Sequence, residues 1–155
     1  MRARDVMATD VVSVSPEATV SEALRLMRRT GQLALPVLDP EGQVLGLVTE
    51  TDLLALLLPR WLEDVGDLSF LPEDFQPLAD AVHRAAGETL DGVDYHRDVP
   101  CAEEADSVLE VIRIMVEHEV QRVAVVRNGQ LVGMIAHEDI ARAILDPILG
   151  TGPAS

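Results

Sequence analysis

Thr19-Val20-Ser21-Glu22-Ala23-Leu24-Arg25-Leu26-Met27 recurs in the same register as Ser107-Val108-Leu109-Glu110-Val111-Ile112-Arg113-Ile114-Met115. Val20, Ala23, Leu24 and Met27 fall at i, i+3, i+4 and i+7, and Val108, Val111, Ile112 and Met115 repeat that stripe. Each stretch is an amphipathic helix with one apolar face. Each opens with a hydroxyl residue three positions before a glutamate, the pattern of a capping box.

The repetition extends outward from these helices. Residues 11–58 and 99–145 align once a one-residue gap is placed in a turn. A short strand precedes each helix, Val11 to Val14 in copy one and Val99 to Ala102 in copy two. Two strands follow. In copy one they are Ala34 to Leu38 and Gln43 to Val48, joined by Asp39-Pro40-Glu41-Gly42. In copy two they are Arg122 to Val126 and Gln130 to Ile135, joined by Arg127-Asn128-Gly129, and Asn-Gly is a strong hairpin signal. A closing helix is predicted over 51–58 and over 138–145. Each copy is therefore β-α-β-β-α, too small to bury its sheet well alone, so the fold class is α/β (α+β) with two pseudo-symmetric units packed sheet to sheet.

Composition narrows the function. The chain has 155 residues, 48% of them apolar, and a net charge of −15 from 27 acids and 12 bases, all arginine. Nucleic acid needs a basic face, and the densest cluster, Arg25, Arg28 and Arg29, reads as one solvated helix face. No apolar run is long enough to cross a bilayer and no signal-peptide core follows the N-terminus, so a cytoplasmic protein is expected. The single cysteine, Cys101, excludes an intramolecular disulfide and reads as a buried small hydrophobe. Nothing assembles a nucleophile, base and oxyanion hole, so no enzyme is expected. His137-Glu138-Asp139-Ile140-Ala141 lacks the second histidine of a zinc pair, and Asp39 to Gly42 lacks a calcium ligand ladder. Asp94-Tyr95-His96-Arg97-Asp98 reads as a solvated loop.

Taken in order, Val6-Met7, a short strand, Pro16, a capped helix ending in Met, Leu35-Pro36-Val37, Asp39 to Gly42 and Gly46-Leu47-Val48-Thr49-Glu50-Thr51-Asp52 resemble the CBS domain. Copy two matches in its helix, hairpin and Gly133-Met134-Ile135-Ala136-His137-Glu138-Asp139, departing at Ala124 for the proline and at Ala136 for the hydroxyl. The likeness covers about 105 residues. It divides the chain into a first motif (1–58), an insert (59–92), a second motif (93–148) and a flexible tail (149–155).

The resemblance implies a tandem pair, a Bateman module, that binds an adenosine ligand such as AMP, ADP, ATP or S-adenosylmethionine, with or without magnesium. Two such modules commonly join as a disc-like homodimer, and an effector protein in trans would read the occupancy. The residues placed by resemblance in the first cleft are Val12, Ser13, Leu35, Pro36, Thr49, Thr51 and Asp52; in the second they are Pro100, Cys101, Arg122, Val123, Ala136, His137 and Asp139. A carboxylate only accepts hydrogen bonds, so Asp52 or Asp139 suits the two hydroxyls of a ribose. The arginine fork of Arg122 suits phosphate, as does His137, and the alternative for Arg122 is a salt bridge to one of the many acids. Thr49-x-x-Asp52 is also a helix cap, which leaves open a ligand-free structural or oligomerisation module. The insert, with Trp61, Phe70 and Phe75, is predicted to be helical from Pro72, with Phe75, Leu78, Ala81, Val82 and Ala85 on one stripe. It is expected as a subunit contact or lid, or as added core.

Overall fold

A computed structural model describes residues 1–56, 66–67, 69–70, 72 and 76–150. Trp61 and Phe75, on which the interface reading of the insert rested, lie outside them. The chain divides into two compact units that do not follow the repeat boundaries. One comprises Val12–Leu38 and Gly46–Arg97, built on copy one; the other comprises Met1–Val11, Asp39–Leu45 and the chain from Asp98, built on copy two.

In the first unit, α2 (Val20–Thr30) begins at Thr19, whose hydroxyl accepts the Glu22 N–H at 3.1 Å while the Glu22 carboxylate accepts the Thr19 N–H at 3.0 Å. It ends at Gly31 in the left-handed conformation. Val20, Ala23 and Met27 bury the expected stripe. They pack on Leu35 and Val37 of β1 (Ala34–Leu38), Val48 of β2 (Val44–Thr49) and Leu53 of α3 (Glu50–Ala55).

The strand expected over 11–14 is reduced to one parallel bridge, Val14 to Val37. Val14 donates to Pro36 at 3.0 Å and accepts from Leu38 at 2.9 Å. Pro36 has no N–H with which to continue the ladder toward Val12.

Helix α4 (Gln76–Ala86) packs on α2, burying Ala81 and Ala85, but Val82 is exposed and off the expected stripe. Leu90 of a 3-10 turn (Leu90–Gly92), Val93 and Tyr95 complete this core. Ala81, Ala85 and Leu90 of the insert are thus buried in their own chain, whereas Phe70 is exposed.

The second unit holds α1 (Ala3–Val6), β3 (Cys101–Glu103), α5 (Val108–His118), β4 (Arg122–Arg127), β5 (Gln130–Ala136) and α6 (His137–Leu149). β3 runs parallel to β4 and β5 antiparallel to it. Asn128 and Gly129 both take positive φ, 52° and 80°, as a two-residue turn of the primed type requires. Val108, Val111, Ile114, Met115, Val123, Val125, Ile135 and Ile140 form the core with Ala3.

Three expectations are corrected here. Only half the second capping box forms: Ser107 Oγ accepts the Glu110 N–H at 3.2 Å, but the Glu110 carboxylate is drawn one turn on to Arg113, which also holds Glu117. Helix α6 is longer than 138–145 and continues through Pro147. Cys101 is exposed, because in β3 it is Ala102 that faces inward.

Candidate functional site

The two aspartates placed by resemblance occupy equivalent ground. Asp52 is the third residue of α3, and its Oδ2 accepts the Thr49 N–H at 2.8 Å while the Thr49 hydroxyl accepts the Asp52 N–H at 3.2 Å. Asp139 is the third residue of α6, and its Oδ2 accepts the Ala136 N–H at 2.9 Å. Ala136 cannot return the bond, so copy two keeps the acid's half of the cap only. In both copies the cap uses one carboxylate oxygen. The other, Oδ1, lies 3.9 Å from His96 Nε2 in the first unit and 3.9 Å from Arg142 Nη1 in the second.

Around Asp52, Thr49 is half-buried and Thr51 and Ser13 are exposed. Leu35 and Pro36 are fully buried, and the Leu35 side chain belongs to the core, so this strand can offer a ligand backbone groups only. The Pro36 carbonyl is already taken by Val14. Val12 is held by a residue the sequence reading did not single out. Gln32 Oε1 accepts the Val12 N–H at 3.1 Å, and Gln32 Nε2 donates to the carbonyls of Val12 and Ala34, both at 2.9 Å.

Around Asp139, Arg122 is paired backbone to backbone with Ala136, and the His137 N–H donates to Gln121 at 2.9 Å. The salt-bridge alternative for Arg122 is not realised among the described residues, where the ion pairs involve other groups. His137 is exposed, with Nδ1 3.5 Å from Glu138. Val123 is core, and Pro100 is half-buried beside the exposed Cys101. The Cys101 sulfur contacts the Val99 carbonyl at 3.6 Å. Partial desolvation, and then the Glu103 charge, push its thiol pKa up, the opposite of an activated nucleophile.

The segment 94–98 is exposed, as a solvated loop would be, except at Tyr95, and it is anchored at His96. Tyr95 is buried, and the His96 carbonyl accepts the Leu47 N–H at 2.8 Å. Gly46 makes this possible: a Cβ there would lie 2.4 Å from the His96 oxygen and 2.6 Å from the Tyr95 ring. Arg97 stacks on that ring at 4.2 Å and donates to its hydroxyl at 3.0 Å. His96 is thereby set beside Asp52, with its side chain 72% exposed. A polar run straight after a buried Val93 was the available signal, but nothing local marks the strand that receives it.

Two β-α-β-β-α-like units, each with a carboxylate fixed at the start of its closing helix, define a tandem-repeat α/β module. The chain belongs to the CBS domain family, whose model matches residues 3–59 and 93–146. It is 29% identical over 140 residues to Hypoxic response protein 1 of Mycobacterium tuberculosis, covering 90% of this chain and 82% of that one. The crystal structure of Hypoxic Response Protein I, with two coordinated zinc ions, superposes with a TM-score of 0.67 at 26% identity, covering 93% and 99% of the two chains. A CBS domain-containing protein of unknown function from Kribbella flavida gives a TM-score of 0.78 at 24% identity, covering 94% and 99%. CBSX2 in complex with AMP gives 0.68 at 22% identity, covering 95% and 98%. Among the described residues no cluster of three or more His, Cys, Asp or Glu could hold a metal ion, and no helix is long and apolar enough to cross a membrane.

Proposed function

We propose that this chain senses an adenine nucleotide and reports its occupancy to a partner protein. The observation that carries the reading is the pair Asp52 and Asp139, each held by its own backbone through one oxygen with the second left to accept. Ribose hydroxyls suit such a pre-oriented acceptor, since the side chain is already ordered by the cap. Thr49 retains a hydroxyl proton to donate. Arg122 in the second unit supplies a cation for phosphate, and His137 there and His96 in the first unit offer ring nitrogens to it. Magnesium would ease the approach of a phosphate to a chain of charge −15. The AMP complex of CBSX2 supports the ligand class.

The test is a thermal-shift screen with AMP, ADP, ATP, NAD and S-adenosylmethionine, with and without magnesium, on wild type, Asp52→Ala and Asp139→Ala. A ligand bound only by the native state must raise its melting temperature. A ligand-specific rise that one variant abolishes supports the reading. No rise with any ligand, and a lower unliganded midpoint for Asp52→Ala, supports the second reading: a structural module whose aspartates only cap helices. The fully formed Thr49–Asp52 box favours that alternative.

Self-association is the companion proposal. Leu109 and Val116 of α5 and Leu145, Ile148 and Leu149 of α6 are exposed, beside an apolar groove of about 390 Å³ lined by both helices. Strongly like-charged chains meet most easily on such an uncharged face. Sedimentation of wild type against Val116→Glu tests it: a dimer that becomes a monomer is expected, and a wild-type monomer rejects it.

A further inference from the structure

The hydrogen bonds of Gln32 have the pattern of a base. Its amide satisfies three backbone groups: Oε1 takes the Val12 N–H, and the two hydrogens on Nε2 reach the carbonyls of Val12 and Ala34. Adenine carries the same array on its Watson–Crick edge, with N1 as acceptor and N6 as a double donor. Guanine has the reverse polarity there, a donor at N1 and an acceptor at O6.

The array exists because of a proline. Pro36 cannot donate to the neighbouring segment, so the Val12 carbonyl is left without a ladder partner, and a half-buried orphan of that kind must be satisfied from elsewhere. In copy two the repeat register places Ala124, which retains its N–H, at the position of Pro36, and Val120 at that of Gln32. There a regular strand, Cys101–Glu103, pairs with β4, and the residue at the position of Gln32 carries no amide side chain.

We infer that Gln32 is an internal competitor for adenine in the first unit: its amide occupies the backbone edge the base would read, and a nucleotide binds there only by displacing it. The inference rests on the nucleotide reading above. It makes Gln32 the residue that sets the threshold of the first site, while the Val12 and Ala34 backbone groups beneath it set the preference for adenine over guanine. Because the bonds exchanged are alike in number and polarity, the Val12 and Ala34 groups gain no hydrogen bonds from the exchange, and the nucleotide must spend binding energy on breaking the three Gln32 bonds that an open edge would not hold.

Isothermal titration of AMP into wild type, Gln32→Ala and the Gln32→Ala, Asp52→Ala double variant tests it, with GMP as the control base. Gln32→Ala is expected to bind AMP about tenfold more tightly than wild type, with the gain lost in the double variant and no gain for GMP. An affinity for AMP equal to or weaker than wild type in a folded Gln32→Ala protein overturns it. A measurement on unmutated protein guards against a folding defect. The Gln32 side-chain amide protons, followed by NMR, should exchange slowly in the free protein and move to the free-amide position on AMP saturation. AMP saturation that leaves them unmoved overturns the competitor role alone. If AMP, ADP and ATP bind neither wild type nor any variant, the nucleotide reading itself fails and takes this inference with it.

Discussion

Ala8 and Met134, from opposite ends of the chain, exchange both backbone hydrogen bonds, at 2.8 and 3.0 Å. The register that aligns Val20 with Val108 aligns Ala8 with His96, and His96 bridges Leu47, the counterpart of Met134. Each unit therefore receives the segment that precedes the other repeat. In each case the receiving residue follows a glycine, Gly46 or Gly133, and a Cβ on Gly133 would stand 2.7 Å from the Ala8 oxygen and 2.8 Å from the Met7 sulfur. Gly46→Ala and Gly133→Ala are expected to cost about 1–3 kcal/mol each, since a backbone oxygen cannot yield as a flexible side chain can. Gly46→Ala is expected to cost more, having the closer contact. Urea denaturation checks both, and wild-type stability in either variant would show that the exchanged segment is not held as described.

Removing residues 1–8 should destabilise the second unit rather than the first. Ala3 is fully buried in that core, with Val6 and Met7 packed against it. Hydrogen exchange read by mass spectrometry on the truncated protein should show protection lost over β5 and α6, with α2 unchanged.

Conservative substitution separates the two duties of the aspartates. Asp52→Asn keeps an oxygen for the Thr49 N–H but loses the anionic acceptor; Asp52→Ala loses both. The alanine variant is expected to lose about 0.5–1 kcal/mol of stability while the asparagine variant loses little. Both should bind AMP roughly tenfold or more weakly, because hydrogen bonds to a charged group are the stronger kind. Melting curves and titration together decide. An asparagine variant that binds like wild type would leave the carboxylate only a capping role.

Acid should loosen the second sheet in a definable window. The guanidinium of Arg127 reaches Glu104 through Nε at 2.5 Å and Nη2 at 2.7 Å, which holds the Glu104 carboxyl below its ordinary value of 4.5. Arg113 does the same to Glu110. The folded protein thus binds these protons less tightly than the unfolded chain. Their stabilising effect is complete above the ordinary value and is lost as pH falls through the lower folded one. The melting temperature of Glu104→Gln should lie below that of wild type at pH 7 and converge with it near pH 3. A constant gap across that range would contradict the assignment.

Cys101 is accessible yet should react slowly. With its thiol pKa raised, little thiolate is present at pH 7. Iodoacetamide labelling should run slower than for free cysteine at that pH and accelerate as pH rises above 9. Fast labelling at pH 7 would mean that the thiol is not desolvated.

Most secondary structure was legible because its signals are local. The stripe of Val20, Ala23 and Met27, the Thr19 cap and the Asn128-Gly129 turn each depend on residues within a few positions of one another. Strand β3 was found within two residues, whereas the strand over 11–14 was overread, since its partner residue is a proline a helix away. The site was legible in part. Asp52 and Asp139 were placed at helix starts, and each accepts the N–H of the residue before its helix, so Asp139 caps even without a hydroxyl at Ala136. Gln32 and His96 were missed because their partners, Val12 and Asp52, lie 20 or more residues away.

The sequence by itself determined the repeat, the helices and hairpins, and the acidic, lysine-free surface, because periodicity, capping and charge are read over short distances along the chain. The tertiary structure alone decided which segment joins which unit, why Gly46 and Gly133 lack side chains, and that Gln32 rather than a strand satisfies Val12. Those outcomes turn on contacts between residues far apart in sequence, where a missing Cβ or a missing N–H matters only once another backbone has arrived beside it.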